Sequence, residues 1–516
     1  MKRNFNMKKL SFHKHGHFES MKKPNLLYVF PDQFRLMSLS LWQKKGYQDL
    51  LPGQGDPVST PNLDLFAEQA TLLPNAVSNC PVCSPHRGSL LTGQFPSKSG
   101  VPLNCNSDRI ESQLPEDTRC FTDVLADAGY YIGYIGKWHL DLPTPNDPEN
   151  PGQYVDPNRP AWDSYTEPQR RHAIHEWYGY GTFDQHRNPH YYDTFGQRHE
   201  PQKWSAEHET DKAIEFLTRH QQLRPDQSFA LFVSMNPPHS PYDSLNDCRE
   251  SDWRHYCDNS PKQLLRRTNA DHQMDKAQSA PFYFANVTGV DHEFGRLVAT
   301  LKALGEWDNT IVVFTSDHGE TLCSHGITDA KNSLYNEAFC VPFLLKNTSQ
   351  TQVKQHPAFL SSADIMPTVL SLMGLSSSCP PDIHGRDLAE VFRSGAIGTS
   401  PTYALYLKNI DSAPSADGKI RGYFAAARGI KTERYSLALH INASEQLEET
   451  QFFDNLQDPY QTNNLAFDPE SPDLRRLLRA MAEELVRVDD PWAENRILAH
   501  LLPYDLFNIC RTNKEF

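Results

Sequence analysis

Thr310-Ile-Val-Val-Phe-Thr-Ser-Asp-His-Gly-Glu320 begins as an apolar, β-branched run and ends in carboxylates and an imidazole. A short apolar run bounded by turn formers suits a strand buried on both faces, as in parallel sheets covered by helices. Comparable runs occupy residues 25–30, 130–135, 229–234 and 341–345, so with 310–315 five buried strands are expected. Amphipathic stretches at 62–69, 120–128, 207–219, 285–304 and 363–373 alternate with them. This alternation predicts an α/β fold, a large mostly parallel sheet sandwiched by helices. Polar residues follow four of the strands. Asp32 and Gln33 follow the first, Lys137 and His139 the second, His239 the third, Asp317 and His318 the fourth. Open α/β sheets bind ligands beyond the carboxyl ends of their strands, so the four clusters predict one shared site.

The rest of the chain frames that site. The 516 residues carry 64 acidic and 50 basic side chains, a net charge of −14, which excludes a general nucleic-acid coat but permits a local anion pocket. No apolar run approaches the roughly 20 residues of a membrane-spanning helix. Residues 1–23 are basic and His-rich without an apolar leader, and read as a disordered arm. As written the chain reads as cytoplasmic, and as periplasmic or secreted if its start is misassigned. Ten scattered cysteines do not make a disulfide scaffold. Residues 24–395 are expected to form the catalytic domain, with loop insertions at 141–205 and 240–280. Residues 396–516 are expected to form a smaller α+β subdomain, with strands at 423–428 and 436–441 and a helix at 473–486.

Asp32, Gln33, Asp317 and His318 offer two carboxylates, an amide oxygen and an imidazole, an oxygen-dominated set for Ca²⁺, Mg²⁺ or Mn²⁺. The bland reading of Asp-His-Gly is a solvated loop. Lys137, His139, His239 and Lys331 suit an anionic substrate and proton transfer beside it. In Cys83-Ser-Pro-His-Arg-Gly-Ser-Leu-Leu-Thr-Gly93, Pro85 fits a first helical turn and Gly93 a helix end. Cys83 then sits at a helix N-terminus, which favours an anion, and Arg87 one turn on is placed to brace it. A redox or zinc pair of Cys80 and Cys83 is the alternative, with no second Cys-x-x-Cys to complete a zinc cage.

Cys83-Ser-Pro-His-Arg87 followed by Leu91-Thr-Gly93 resembles the signature of the type I, formylglycine-dependent sulfatases of the alkaline-phosphatase-like superfamily. The likeness continues in Thr60-Pro-Asn-Leu-Asp64, Gly136-Lys-Trp-His-Leu140, Pro237-Pro-His-Ser-Pro241, Thr315-Ser-Asp-His-Gly-Glu320, Lys331-Asn-Ser-Leu-Tyr335 and Ala363-Asp-Ile-Met-Pro-Thr368. It implies that a maturation enzyme converts Cys83 to formylglycine (3-oxoalanine), the nucleophile. It implies Ca²⁺ on Asp32, Gln33, Cys83, Asp317 and His318, with Mn²⁺ or Mg²⁺ as variants. Arg87 would stabilise the modified residue, while Lys137, Lys331 and Asn104 would bind the sulfate. His239 would protonate the leaving alcohol and His139 would take a proton from the sulfated hydrate. His86 stands where serine is common, Gln33 where many relatives have aspartate, and Cys340 where arginine is frequent.

The resemblance implies a sulfuric ester hydrolase. The alternatives are a formylglycine-dependent phosphonate monoester or phosphodiester hydrolase and a binding protein that keeps its thiol. A two-zinc phosphatase would need metal ligands where lysines stand. Trp162, Tyr165, Arg170, Arg171, His172, His175, Trp177 and Tyr178 in the 141–205 insertion are candidates to stack on sugars and bind anions, so a sulfated carbohydrate is the expected substrate. The other reading packs these aromatics against the sheet.

Overall fold

The computed structural model describes residues 22–143, 162–163, 165–182, 185–349, 353–396, 400–494 and 497–498. The expected arm lies almost wholly outside them. In chain order the strands are β1 Asn25–Val29, β2 Thr71–Leu72, β3 Asn75–Ala76, β4 Tyr131–Lys137 and β5 Glu176–Tyr180. Then come β6 Tyr191–Asp193, β7 Arg198–His199, β8 Phe229–Ser234, β9 Thr310–Phe314, β10 Leu344–Lys346 and β11 Phe359–Leu360. The last four are β12 Tyr403–Asp411, β13 Tyr423–Thr432, β14 Tyr435–Ile441 and β15 Leu447–Asp454.

Nine of them form one sheet in the order β2-β10-β9-β1-β8-β4-β5-β6-β7. Its middle, β9-β1-β8-β4-β5, is parallel throughout, and β10, β6 and β7 each pair antiparallel to the strand before them. The strands β9, β1, β8 and β4 carry the four polar clusters, and they are consecutive neighbours. Leu26, Tyr28, Phe232 and Ile311 face one core, and Leu27, Val29, Leu231 and Val312 face another on the opposite side. Both faces are therefore apolar, which is why these strands read as continuous hydrophobic runs rather than alternating ones. Gly136 has φ +102°, and a Cβ there would lie 2.0 Å from the Ser234 carbonyl oxygen, so only glycine lets β4 pass β8 at this height.

Of the expected loop insertion 141–205, residues 144–161, 164 and 183–184 lie outside the described residues, and the remaining residues differ from loops. They contribute β5, β6 and β7, which extend the sheet at one edge. Trp177 is buried in β5, stacked on Tyr134 and edge-on to Trp138. Arg171 is buried over the Trp177 ring and donates to the Thr166 and Thr194 carbonyls. Tyr178 is likewise buried, against Tyr191 and His208. These three are packing residues, not a sugar platform. The sequence misled because three glycines and a charge (Gly179, Gly181, Gly196, Asp193) break the apolar pattern that marks a strand. Residues 240–280 hold two one-turn helices, Glu250–Trp253 and Pro261–Leu264.

The C-terminal unit is a four-stranded antiparallel sheet, β12-β13-β14-β15. The helix Pro472–Arg487 packs on it through Leu474, Leu478, Met481 and Leu485. Among the described residues no helix is long and apolar enough to cross a membrane.

Candidate active site

The buried helix Cys83–Thr92 points its first residue at the carboxyl ends of β1 and β9 and stops at Gly93, φ 67°. There Cys83 Sγ lies 3.2 Å from His318 Nε2 and 3.8 Å from Asp32 Oδ1. Lys331 Nζ donates to the same sulfur at 3.2 Å, and Lys137 Nζ stands 4.0 Å away. Burial alone would raise the Cys83 thiol, but the ammonium groups of Lys137 and Lys331, with His318 and His139, hold it well below the ordinary thiol value. Asn104 accepts a hydrogen bond from the Ser84 N–H at 2.9 Å, which ties the following loop to the helix start.

Asp32, Cys83, Asp317 and His318 place ligand atoms within 4.8 Å of one another, all buried. The two carboxylates are neutralised from one side. Arg87 donates to Asp32 Oδ2 at 3.1 Å and to Asp317 Oδ2 at 3.0 and 3.2 Å. Lys137 Nζ pairs with Asp32 Oδ2 at 2.7 Å. Arg87 is itself held by the Lys137 carbonyl and by Ser234 Oγ. Its bonds thus brace the carboxylates rather than Cys83 directly. Burial works against the Asp32 charge, and so does Cys83, but Lys137, His239 and Arg87 keep its carboxyl below the usual range. Burial and the neighbouring Asp32 push Asp317 the other way.

Gln33 adopts φ 64°, a left-handed backbone unusual for glutamine. The conformation is fixed from several sides. Its N–H donates to Asp317 Oδ1, its carbonyl accepts from Tyr283, and its side-chain amide donates to Glu320. Glu320 is anchored in turn by Tyr242 and Lys276. The amide nitrogen being occupied, Oε1 is the face turned to the site, 3.4 Å from Lys331 Nζ.

Three histidines stand in the cluster, each oriented by a backbone carbonyl. His318 Nδ1 donates to the Gly319 carbonyl (2.9 Å), which turns Nε2 to Cys83; burial opposes its charge, but Asp317 and Cys83 raise its basicity. His239 Nδ1 donates to the Ser240 carbonyl (2.7 Å), and its Nε2 receives Lys331 Nζ at 3.0 Å. His139, at φ 52°, bonds the Cys105 carbonyl through Nε2 with Cys83 beside its ring. Burial lowers its basicity, so the imidazole is neutral and free to accept a proton. His86 takes no part. It is turned away onto Ser78 and Ser362, and burial lowers it to about 3.

Every residue expected at the site is therefore brought to it: Asp32, Gln33, Cys83, Arg87, Asn104, Lys137, His139, His239, Asp317, His318 and Lys331. Sequence reasoning missed Ser234, Tyr242 and Lys276, which hold other residues in place and carry no local pattern. A cavity of about 340 Å³ opens onto this cluster, with Asn104 and Lys331 in its wall.

A buried thiol at a helix N-terminus, flanked by two lysines, two histidines and a set of residues able to hold a divalent cation, defines a sulfuric ester hydrolase on an alkaline-phosphatase-like fold. The chain belongs to the sulfatase family: the Sulfatase family matches residues 24–375, and the N-sulphoglucosamine sulphohydrolase C-terminal family matches residues 323–489. An Endo-4-O-sulfatase of Bacteroides thetaiotaomicron is 48% identical over 489 residues, 94% of this chain and 96% of its own. An Ulvan-active sulfatase of Formosa agariphila is 32% identical over 89% of this chain and 80% of its own. A solved sulfatase structure from work on glycosaminoglycan metabolism by Bacteroides thetaiotaomicron superimposes with TM-score 0.90 at 48% identity, over 93% of this chain and all of the other. A phosphonate monoester hydrolase from Silicibacter pomeroyi, 21% identical with TM-score 0.59, shares the fold alone.

Proposed function

We propose that this sulfatase removes 4-O-sulfate from sugars within a glycosaminoglycan chain. The observation that carries the reading is the 48% identity to the Endo-4-O-sulfatase across 94% of this chain. It is supported by a cavity that adjoins the site and is large enough for one sugar ring.

The residues present fit the two groups that the family uses. Asp32, Asp317, His318 and the Gln33 amide oxygen are a donor set for Ca²⁺, or for Mn²⁺ or Mg²⁺. The His318 Nδ1 bond to Gly319 presents the Nε2 lone pair that a ligand needs. Bound there, the cation would add positive charge that favours a negatively charged nucleophile. Formylglycine made from Cys83 by a maturation enzyme would supply, as its aldehyde hydrate, a hydroxyl able to attack sulfur.

The chain's own residues then divide the remaining work. Lys331 and Lys137, both within 4.0 Å of the Cys83 sulfur, hold the sulfate oxygens and offset their charge in a buried, low-dielectric setting. Asn104 completes the sulfate wall. His239, protonated at both ring nitrogens once Lys331 has turned to the sulfate, gives its Nε2 proton to the departing sugar oxygen while Nδ1 stays on the Ser240 carbonyl. His139, neutral and oriented by the Cys105 carbonyl, accepts a proton at Nδ1, the nitrogen left free by that bond. Arg87 holds Asp32 and Asp317 charged and in position.

The test is sulfate release from matched oligosaccharides by protein produced together with a formylglycine-generating enzyme. Release from 4-O-sulfated aminosugars inside the chain, well ahead of 6-O-sulfated ones, is expected. Equal release from both, or release from chain ends alone, would count against the reading.

A further inference from the structure

The cavity that opens onto Lys331 is walled by two distant parts of the chain. Asn104 and Arg109 come from the loop after the Cys83–Thr92 helix, and Asn409 and Asp411 from the end of β12 in the C-terminal sheet. Trp162 forms a further wall, edge-on to His139 at 6.2 Å between ring centroids, with the Arg109 guanidinium 5.8 Å from its own ring. An aromatic face and a proton-transfer histidine thus border the same space.

Its charge is distinctive. Lys331 is turned to the sulfur of Cys83 and belongs to the sulfate end. Beyond it, among the described residues, the wall holds one cation, Arg109, and two anions, Asp329 and Asp411. Arg109 already has its counter-ion. Its Nε and Nη2 grip the two oxygens of Asp411 at 2.6 and 3.1 Å, and Nη1 donates to the Asn104 carbonyl. Its charge is matched by Asp411, so the wall presents no surplus positive charge. The remaining polar lining is amide. Asn409 is 5% exposed, its nitrogen donates to the Pro102 carbonyl, and its Oδ1 has no hydrogen-bond partner. Asn332, beside Lys331, likewise has an Oδ1 without a partner. Both oxygens lie beneath the surface of the wall, so these amides add polarity to it and no charge.

Resting on the sulfatase reading above, we propose that this cavity is the seat of the ring bearing the scissile sulfate and selects a ring with no second charge. The apolar face of that ring lies on Trp162. A second sulfate on the same ring faces Asp329 and Asp411 with Arg109 already occupied, and is disfavoured by like-charge repulsion. Neighbouring uronates of a polymer lie outside this cavity and are not selected against.

The experiment compares kcat/KM for two oligosaccharides that differ only in the target aminosugar, one carrying 4-O-sulfate alone and the other 4-O- and 6-O-sulfate. The matured wild-type protein is expected to favour the first by about tenfold or more. Asp411→Asn releases Arg109 and removes an anion, so the preference should fall to near parity or reverse, chiefly through KM for the disulfated ring. Asp329→Asn, which leaves the Arg109 fork paired, should narrow the preference in the same direction by a smaller factor. A wild-type enzyme indifferent to the second sulfate, or one favouring it, overturns the proposal, as does Asp411→Asn with an unaltered ratio. Wild-type turnover of a small aryl sulfate is measured alongside. Its absence would mean that the sulfatase reading has failed, whereas its presence with the wrong ratio would fault only the selectivity.

Discussion

Arg87→Ala should destabilise the protein in a way that a divalent cation repairs. Arg87 is 2% exposed and donates to both Asp32 and Asp317, each of them fully buried. Removing it takes from Asp317 its arginine partner, leaving only the His318 ring nearby, and leaves Asp32 with Lys137 and the His239 and His318 rings. Breaking a buried ion pair by deleting one partner costs about 3–5 kcal/mol. Unfolding entropy of about 2.1 cal/mol/K per residue gives roughly 1 kcal/mol/K for a chain of this length, so the melting temperature should fall by about 3–5 °C. Differential scanning calorimetry in EDTA at matched scan rate reads that gap. Excess Ca²⁺ should narrow it, because a cation on Asp32 and Asp317 takes over the neutralisation that Arg87 performed. Arg87→Lys, which keeps one charge but loses the fork, should fall between. A gap under 1 °C in EDTA, or one that Ca²⁺ leaves unaltered, would refute the reasoning.

Three further expectations rest on separate parts of the structure. His239→Ala should lower kcat by about 10²–10⁴ for a sugar sulfate, whose alcohol leaves poorly without a proton, and far less for a nitrophenyl sulfate; equal losses would remove it from the general-acid role. Glu209 is fully buried, one oxygen accepting from Tyr191 and the other without a hydrogen-bond partner, and burial pushes it up to about 8. The unfolded chain loses this proton near pH 4.5 while the folded one keeps it to about pH 8, so the group erodes stability as pH rises through that window. Glu209→Gln should accordingly raise the melting temperature at pH 8 and not at pH 4.5; the same gain at both would show that charge is not the cause. Trp177→Ala should cost about 3–5 kcal/mol of stability, seen in urea denaturation, and leave the ratio of rates on sugar and aryl sulfates where it was; a selective loss on sugars would restore the platform reading of that residue.

What could be read from the sequence follows physical lines. β1, β8 and β9 are buried on both faces, so composition alone marks them, and their carboxyl ends had to converge because neighbouring parallel strands end together. Asp32, Lys137, His239 and Asp317 were legible for that reason. Cys83 was legible from the helix start implied by Pro85 and the stop at Gly93. The edge strands β5 to β7 were not, since an edge mixes glycine, charge and aromatics, and Trp177 looks the same in a loop as in a core. Nor did any local pattern announce that Asp411 would meet Arg109, 302 residues earlier. That contact depends on how the C-terminal sheet docks, which only the folded chain reveals. His86, conspicuous as a departure in the motif, proves to be a neutral packing group between Ser78 and Ser362.

The central claim is that Cys83 becomes the nucleophile of a sulfate ester hydrolase. The mass of the peptide spanning Cys83, taken from protein shown to release sulfate from a 4-O-sulfated oligosaccharide, tests it most directly. The account predicts an aldehyde in place of the thiol, in proportion to activity across preparations. Fully active protein that carries only the unmodified thiol would contradict it.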